Sequence, residues 1–300
     1  MLSVGLQWSA GPMSVGHKVL PDQLEIDPQT GRVKPIQAGY HEVALWSMNL
    51  ALNARLGLLK WLDVRLRMPL RYVGVTARFL DSQGAPLPHY QSIHHRDETL
   101  VGVADPDLQF GFRPLSITGT QRWLLEFGGG ISAPIGRIEP DPYKAGREGR
   151  PHQHIMFGSG TIDPMSFITV GYLHRQIQVY IHTTLRGAIV PNQYEFQAGL
   201  RFRTSLSVES SLGLKQWAFQ IQGAFMHSEP SLWDGQVDPD SIGGRTDMLL
   251  GGSVFWRPTK QWQCALQLSV PINLKLLGGT LHQPLIIGLS LHYQFRIFPP

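Results

Sequence analysis

Between Pro284 and Phe295 apolar and polar residues alternate with a period of two. Leu285, Ile287, Leu289, Leu291, Tyr293 and Phe295 form an apolar row; Gly288, Ser290, His292 and Gln294 fall on the mostly small or polar row between them. Successive side chains of a strand point to opposite faces. The stretch is therefore a strand with one apolar and one wet face, ending in two aromatic residues. One such strand fits many folds. Its repetition through nearly the whole chain is what narrows the choice.

The same alternation predicts strands at Leu2–Ser9, Tyr40–Leu56, Leu62–Tyr72, Leu100–Arg113, Trp123–Ala133, Asp163–His174, Gln176–Arg186, Tyr194–Arg203, Trp217–Phe225, Met248–Trp256 and Trp262–Ile272. Together with Pro284–Phe295 these make twelve candidate strands. Residues 10–39, 73–99, 135–161, 187–193, 226–247 and 273–283 read as loops, and Pro69 as a bulge or bend because it cannot donate to a ladder. Long and short connections take turns along the chain. An even number of strands with short turns at one end and long loops at the other is the pattern of bacterial outer-membrane barrels. A soluble sandwich predicts no such alternation. The expected fold is all-β: a single domain, residues 1–300, forming a closed antiparallel transmembrane barrel of about 12 strands in an up-and-down meander.

Composition supports this class. Charged residues are 16% and hydrophobic residues 42% of the 300, with 32 glycines. No apolar run approaches the roughly 18 residues of a spanning helix. The net charge of +4 is spread along the chain, so no nucleic-acid-binding stripe is expected. The lone Cys264 falls on an apolar row and rules out an intramolecular disulfide. No signal-peptide pattern opens the sequence, so the numbering is expected to describe a mature or trimmed chain.

Three short stretches, Ala104–Arg113 (ADPDLQFGFR), Gly128–Gly136 (GGGISAPIG) and Gly158–Pro164 (GSGTIDP), resemble the outer-membrane transporter barrels related to the MetA protein of phenol-degradation operons. The likeness runs from the fourth strand to the C-terminus. It implies a barrel for solute uptake or release and supplies neither a substrate nor catalytic residues. Asp105-Pro106 and Asp163-Pro164 are expected to shape strand entries.

The polar rows carry two groups of candidate site residues. Arg55, Arg65, Arg67, Arg71, Arg186, Arg201 and Arg203, with Asp63, Glu126 and Glu195, are expected to line the lumen. There they would set ion selectivity or form a salt-bridged plug. His89, His94, His95, His152 and His154 lie in the long loops, where imidazoles beside carboxylates suit a transition metal. No other cofactor is implied. Serine-hydrolase elbows, P-loops and zinc-protease motifs are absent from the sequence, so enzyme activity is not expected. The expected function is an outer-membrane channel for a small, anionic or aromatic-acid solute, with outer-membrane lipid as its surroundings. The alternatives are a non-conducting barrel that binds metal or a protein partner at its His-rich loops, and a soluble secreted all-β binding protein.

Overall fold

The computed structural model describes residues 2–18, 24–26, 32–35, 38–87, 96–118, 121–148, 150, 152, 155–237 and 244–295. One antiparallel sheet closes on itself. Its strands are β1 (Leu2–Lys18), β2 (Tyr40–Gly57), β3 (Leu62–Leu80), β4 in two pieces (Glu98–Val103 and Asp107–Leu115), β5 (Trp123–Ser132) and β6 (Asp163–His174). They continue as β7 (Ile177–Arg186), β8 (Arg201–Ser210), β9 (Trp217–Ser228), β10 (Arg245–Trp256), β11 (Trp262–Leu276) and β12 (Ile286–Phe295). Each pairs with its neighbours in sequence, and the ring shuts where β12 meets β1, from Leu2 opposite Phe295 to Ala10 opposite Ile287. The result is a closed twelve-stranded antiparallel barrel. Closure leaves no strand edge, so the backbone of every wall strand is paired within the sheet. The only helix among the described residues is one short segment, Pro142–Arg147.

The outer face explains where such a barrel sits. Leu6, Leu66, Leu108, Ile181, Leu250 and Leu289 all point outward and are exposed; Ile221 is 69% exposed. A continuous apolar surface of this kind would drive aggregation in water and is what hydrocarbon covers. At the short-turn end it finishes in a girdle of rings. Trp123 packs on Tyr172 at 4.6 Å, Trp262 on Tyr293 at 4.6 Å, and Trp217 on Trp256 at 6.3 Å. Amphipathic rings concentrate at the membrane–water interface. The chain is thus an outer-membrane β-barrel, with short turns on the periplasmic side and long loops outside.

Several strands are longer than alternation predicts. β1 runs to Lys18 rather than Ser9, β3 to Leu80 rather than Tyr72, and β10 begins at Arg245 rather than Met248. The physical reason is clearest in β2 and β3. Towards their extracellular ends the rows exchange character: Val43, Val73, Val75 and Phe79 turn inward and are buried, while Glu42, Thr76 and Arg78 face out. Above the bilayer the outer face meets water and the inner face meets protein, so the apolar-out rule reverses. Inside, Val43, Val73, Val75, Leu100 and Ala104 form a core with Phe157, which comes from the loop between β5 and β6. That loop folds into the barrel mouth.

Two of the wall prolines, Pro69 and Pro12, sit where an adjacent ladder is interrupted. Pro69 pairs with Ala51 on one side. On its other side, two residues of β3 (68 and 69) face three of β4 (104 to 106), a bulge between the pairs Arg67–Asp107 and Leu70–Val103. The bulge is therefore carried by β4, and Pro69, which has no N–H to donate, faces the break. Pro12 lies similarly between two pairing segments on the seam side of β1, ending at Ala10 and resuming at Ser14.

Candidate functional site in the barrel lumen

The inward rows build the lumen in two tiers. The lower tier lies near the periplasmic turns. Asp63 accepts hydrogen bonds from Arg65 at 2.7 Å, Arg55 at 2.5 Å and Arg113 at 3.3 Å. Glu126 accepts from Arg55 at 2.9 Å, from Arg113 at 2.8 Å, and from Arg65. β2, β3, β4 and β5 each contribute at least one member, so strand alternation and register alone bring the group together. The carboxylates are nearly buried, with 6% and 9% of their side chains accessible, against 23–35% for the three guanidinium partners. Three arginines share two carboxylates, so the cluster presents net positive charge to the lumen. Gly111 makes room for it: a Cβ there would stand 2.9 Å from both Arg65 Nη2 and Asp63 Oδ1.

The upper tier is where wall and loop meet. Arg186 spans Asp107 at 3.1 Å and Asp163 at 3.0 Å, and donates to Ser132 Oγ at 2.8 Å. Arg67 adds a looser contact to Asp107 at 3.6 Å. Beside them Asp105, in the break of β4, is a buried acceptor. Its oxygens receive the Gly136 N–H at 2.7 Å and the Ser159 N–H at 2.7 Å, from the two ends of the infolded loop. Two of the loop's glycines crowd this carboxylate. A Cβ on Gly158 would lie 2.3 Å from Asp105 Oδ1, and one on Gly136 2.8 Å from it. Asn192 extends the clasp to the next loop, donating to the Ser159 carbonyl at 3.0 Å and accepting from the Tyr194 N–H at 2.8 Å. Thr161 Oγ1 donates to Asp163 at 2.6 Å.

Between the infolded loop and the opposite wall is a cavity of about 600 Å³. Its apolar side includes Leu45, Met156, Phe157 and Phe196; its charged side includes Arg67, Arg71, Arg186 and Arg201, with the carboxylates of Asp105 and Glu229. Arg71 is held by Asn49 Oδ1 at 3.1 Å, and its guanidinium lies 5.5 Å from the centre of the Phe157 ring. Arg201 is open to the lumen and makes no hydrogen bond or salt bridge with any described residue. Arg203, two residues further down β8, also faces the lumen without a salt bridge among the described residues.

Of the lumen residues expected from the sequence, Arg55, Asp63, Arg65 and Glu126 join in the lower cluster, and Arg67, Arg71, Arg186 and Arg201 in the upper cavity. Glu195 does not belong with them. It stands exposed in a turn with φ of 61°, because the eighth wall strand starts at Arg201 rather than Tyr194. Local turn chemistry built on Asn192 overrides the apparent alternation of Tyr194–Leu200. The histidine set is divided. His89, His94, His95 and His154 lie outside the described residues. His152 is described: its Nδ1 lies 3.0 Å from the Arg150 carbonyl, and burial lowers its pKa below the ordinary imidazole value, opposed by that hydrogen bond. Among the described residues no three His, Cys, Asp or Glu side chains gather as a metal site. Sequence reasoning missed Arg113 and Asp107, which alternation could have placed on the inner row. It also missed Ser159, Asn192 and Phe157, for which the sequence carries no periodic signal.

No family model matches the chain, and no curated protein matches it. Solved structures do. The crystal structure of an outer membrane channel from Pseudomonas putida F1 superposes with a TM-score of 0.60 at 12% identity, covering 98% of this chain and 95% of that one. A NanC porin gives 0.47 at 6% identity, covering 95% of this chain and 100% of that one. A FadL homologue from Pseudomonas aeruginosa gives 0.46 at 9% identity, covering 98% and 90%. The first of these likenesses supports the barrel fold independently of the physical argument.

Proposed function

We propose that this barrel is a passive outer-membrane channel that favours small organic anions, and that it does not act as an enzyme. The observation that carries the reading is the charge of the inner wall. In the lower tier three arginines share two carboxylates, and in the upper tier Arg71, Arg201 and Arg203 have no salt-bridge partner among the described residues. Surplus fixed positive charge lining a narrow aqueous path lowers the barrier for anions and raises it for cations. The P. putida F1 structure, itself an outer membrane channel, supports the choice of a conducting barrel. The motifs at 104–113, 128–136 and 158–164 support grouping the chain with MetA-related barrels. Two of their acidic residues, Asp105 and Asp163, are the anchors of the infolded loop.

The test is swelling of liposomes carrying the purified protein in isotonic solutes of equal size and different charge. A small carboxylate is expected to enter several times faster than an amine of the same size. Equal rates, or faster entry of the amine, would remove the anion preference. No swelling with any solute would remove the channel.

A further inference from the structure

We infer that the upper lumen cavity is a binding site for an amphipathic monocarboxylate, with Arg201 and Arg71 holding the carboxylate and Phe157, Phe196 and Met156 receiving the apolar body. The inference rests on the anion-channel reading and deepens it, from a preference spread along the wall to one site with two halves.

Three observations bear on it. First, guanidinium groups outnumber acids here. Arg67, Arg71, Arg186, Arg201 and Arg245 line the cavity with Asp105 and Glu229, and the charged neighbours of Arg201 are Arg186, Asp163, Arg71 and Asp105. Arg186 is taken up by Asp107 and Asp163, and Asp105 is occupied by the Gly136 and Ser159 amides. Arg71 and Arg201 therefore form no salt bridge with a carboxylate among the described residues. Crowding like charges in a partly enclosed space is unfavourable, and a bound anion removes that cost. The guanidinium fork also matches a carboxylate in two parallel hydrogen bonds. Second, the wall across the cavity is apolar, and its position is fixed. Phe157 belongs to a buried core and Phe196 to a second one with Trp233, the two rings 4.8 Å apart. A simple ion such as chloride would leave that wall unused. Third, the size fits. About 600 Å³ lies within the range of small-molecule sites and exceeds what a single inorganic ion needs.

The site is asymmetric in a way that suits passage. Arg71 is pinned by Asn49 and stacked on Phe157, whereas Arg201 makes no hydrogen bond or salt bridge with a described residue. A carboxylate can be taken by Arg201 and shared with Arg71. Below lies the lower tier, where further arginines are already engaged by Asp63 and Glu126 and offer a weaker hold, so a bound anion is not trapped. Conduction requires binding favourable enough to enter and weak enough to leave.

The test is single-channel recording in planar bilayers with benzoate as the probe, acetate as a probe without the apolar body, and benzyl alcohol as one without the charge. The wild-type channel should be blocked transiently by millimolar benzoate, at least tenfold more weakly by acetate, and not by benzyl alcohol. Arg201→Gln should weaken the benzoate block at least tenfold, and Arg201→Lys, which keeps the charge but loses the fork, several-fold. Arg257→Gln removes an arginine at the periplasmic end, bonded to Glu209 at 2.7 Å, and should change the block less than twofold. Folding of each variant is checked by heat-modifiable gel migration. Equal weakening by Arg201→Gln and Arg257→Gln would show a diffuse field and overturn the site. So would equal block by acetate and benzoate, or an unaltered block in both Arg201 variants. The reversal potential in a KCl gradient, read in the same bilayers, separates the two claims. Anion preference without benzoate block defeats the site alone, whereas cation preference defeats the channel reading beneath it.

Discussion

The lower and upper halves of β2 and β3 obey opposite rules. In the bilayer, Leu52, Leu66, Met68 and Leu70 face outward and are exposed, and Asn53, Arg55, Asp63 and Arg65 fill the inner row. Ten residues further along the same strands, Val43, Val73 and Val75 are inside and Thr76 and Arg78 are outside. The backbone alternation never slips; only the solvent on each side changes. In the lower half hydrocarbon is outside and water inside. In the upper half water is outside, and inside is a loop held by its own small core. The two halves hold their polar groups differently too. The lower cluster joins wall to wall through shared carboxylates. The upper clasp joins loop to wall through a carboxylate whose partners are mostly backbone amides.

Substitutions can break this comparison, and the largest effect is expected where the loop enters the core. Phe157→Ala leaves a cavity opposite Val73 and Val75 and should cost the loop docking about 3–5 kcal/mol. The loop should then become a site of rapid proteolysis, and the open-channel conductance should rise, while the barrel keeps its heat-modifiable migration. Next is Leu250→Lys on the lipid face, expected to cost about 2–4 kcal/mol near the bilayer centre. Urea unfolding from lipid vesicles measures it. Thr76→Lys, on the outer face of the upper half, should by contrast shift the same transition by less than about 0.5 kcal/mol. If both lysines cost the same, the exchange of surroundings between the halves is wrong.

Asp105→Ala sharpens the difference between clasp and cluster. It leaves the Gly136 and Ser159 amides without their acceptor and should cost about 2–3 kcal/mol of loop docking. The expected readout is a noisier, larger conductance with the barrel intact. Glu126→Gln has a smaller structural effect than Asp105→Ala. Its carboxylate is shared by arginines that also reach Asp63, so the cluster should persist with one more unit of positive charge. Stability should change by less than about 1 kcal/mol, because the arginine partners are partly solvated. Anion selectivity should rise measurably.

The membrane half was legible in the sequence because one rule, apolar out and polar in, governs it for the length of the bilayer. Alternation placed Arg55, Asp63, Arg65 and Glu126 on one face, and their clustering followed from strand pairing. It failed where the rule reverses. Tyr72 marked the end of alternating hydrophobicity outside, yet β3 continues to Leu80 with its apolar row inside. Glu195 shows the opposite error: a run that alternates by chance sits in a turn organised by Asn192. The clasp was least legible. Gly136, Gly158 and Ser159 acquire their meaning only when the loop returns to Asp105, a contact across 31 to 54 residues that no local pattern announces.

The central claim is that the surplus of lumen arginine sets the direction of charge selectivity. The direct measurement is the reversal potential of the purified wild-type channel in a planar bilayer under a tenfold KCl gradient. The account predicts a potential of the sign set by chloride, shrinking as salt rises and screening increases. A potential of the sign set by potassium, or a bilayer that never conducts, would contradict it.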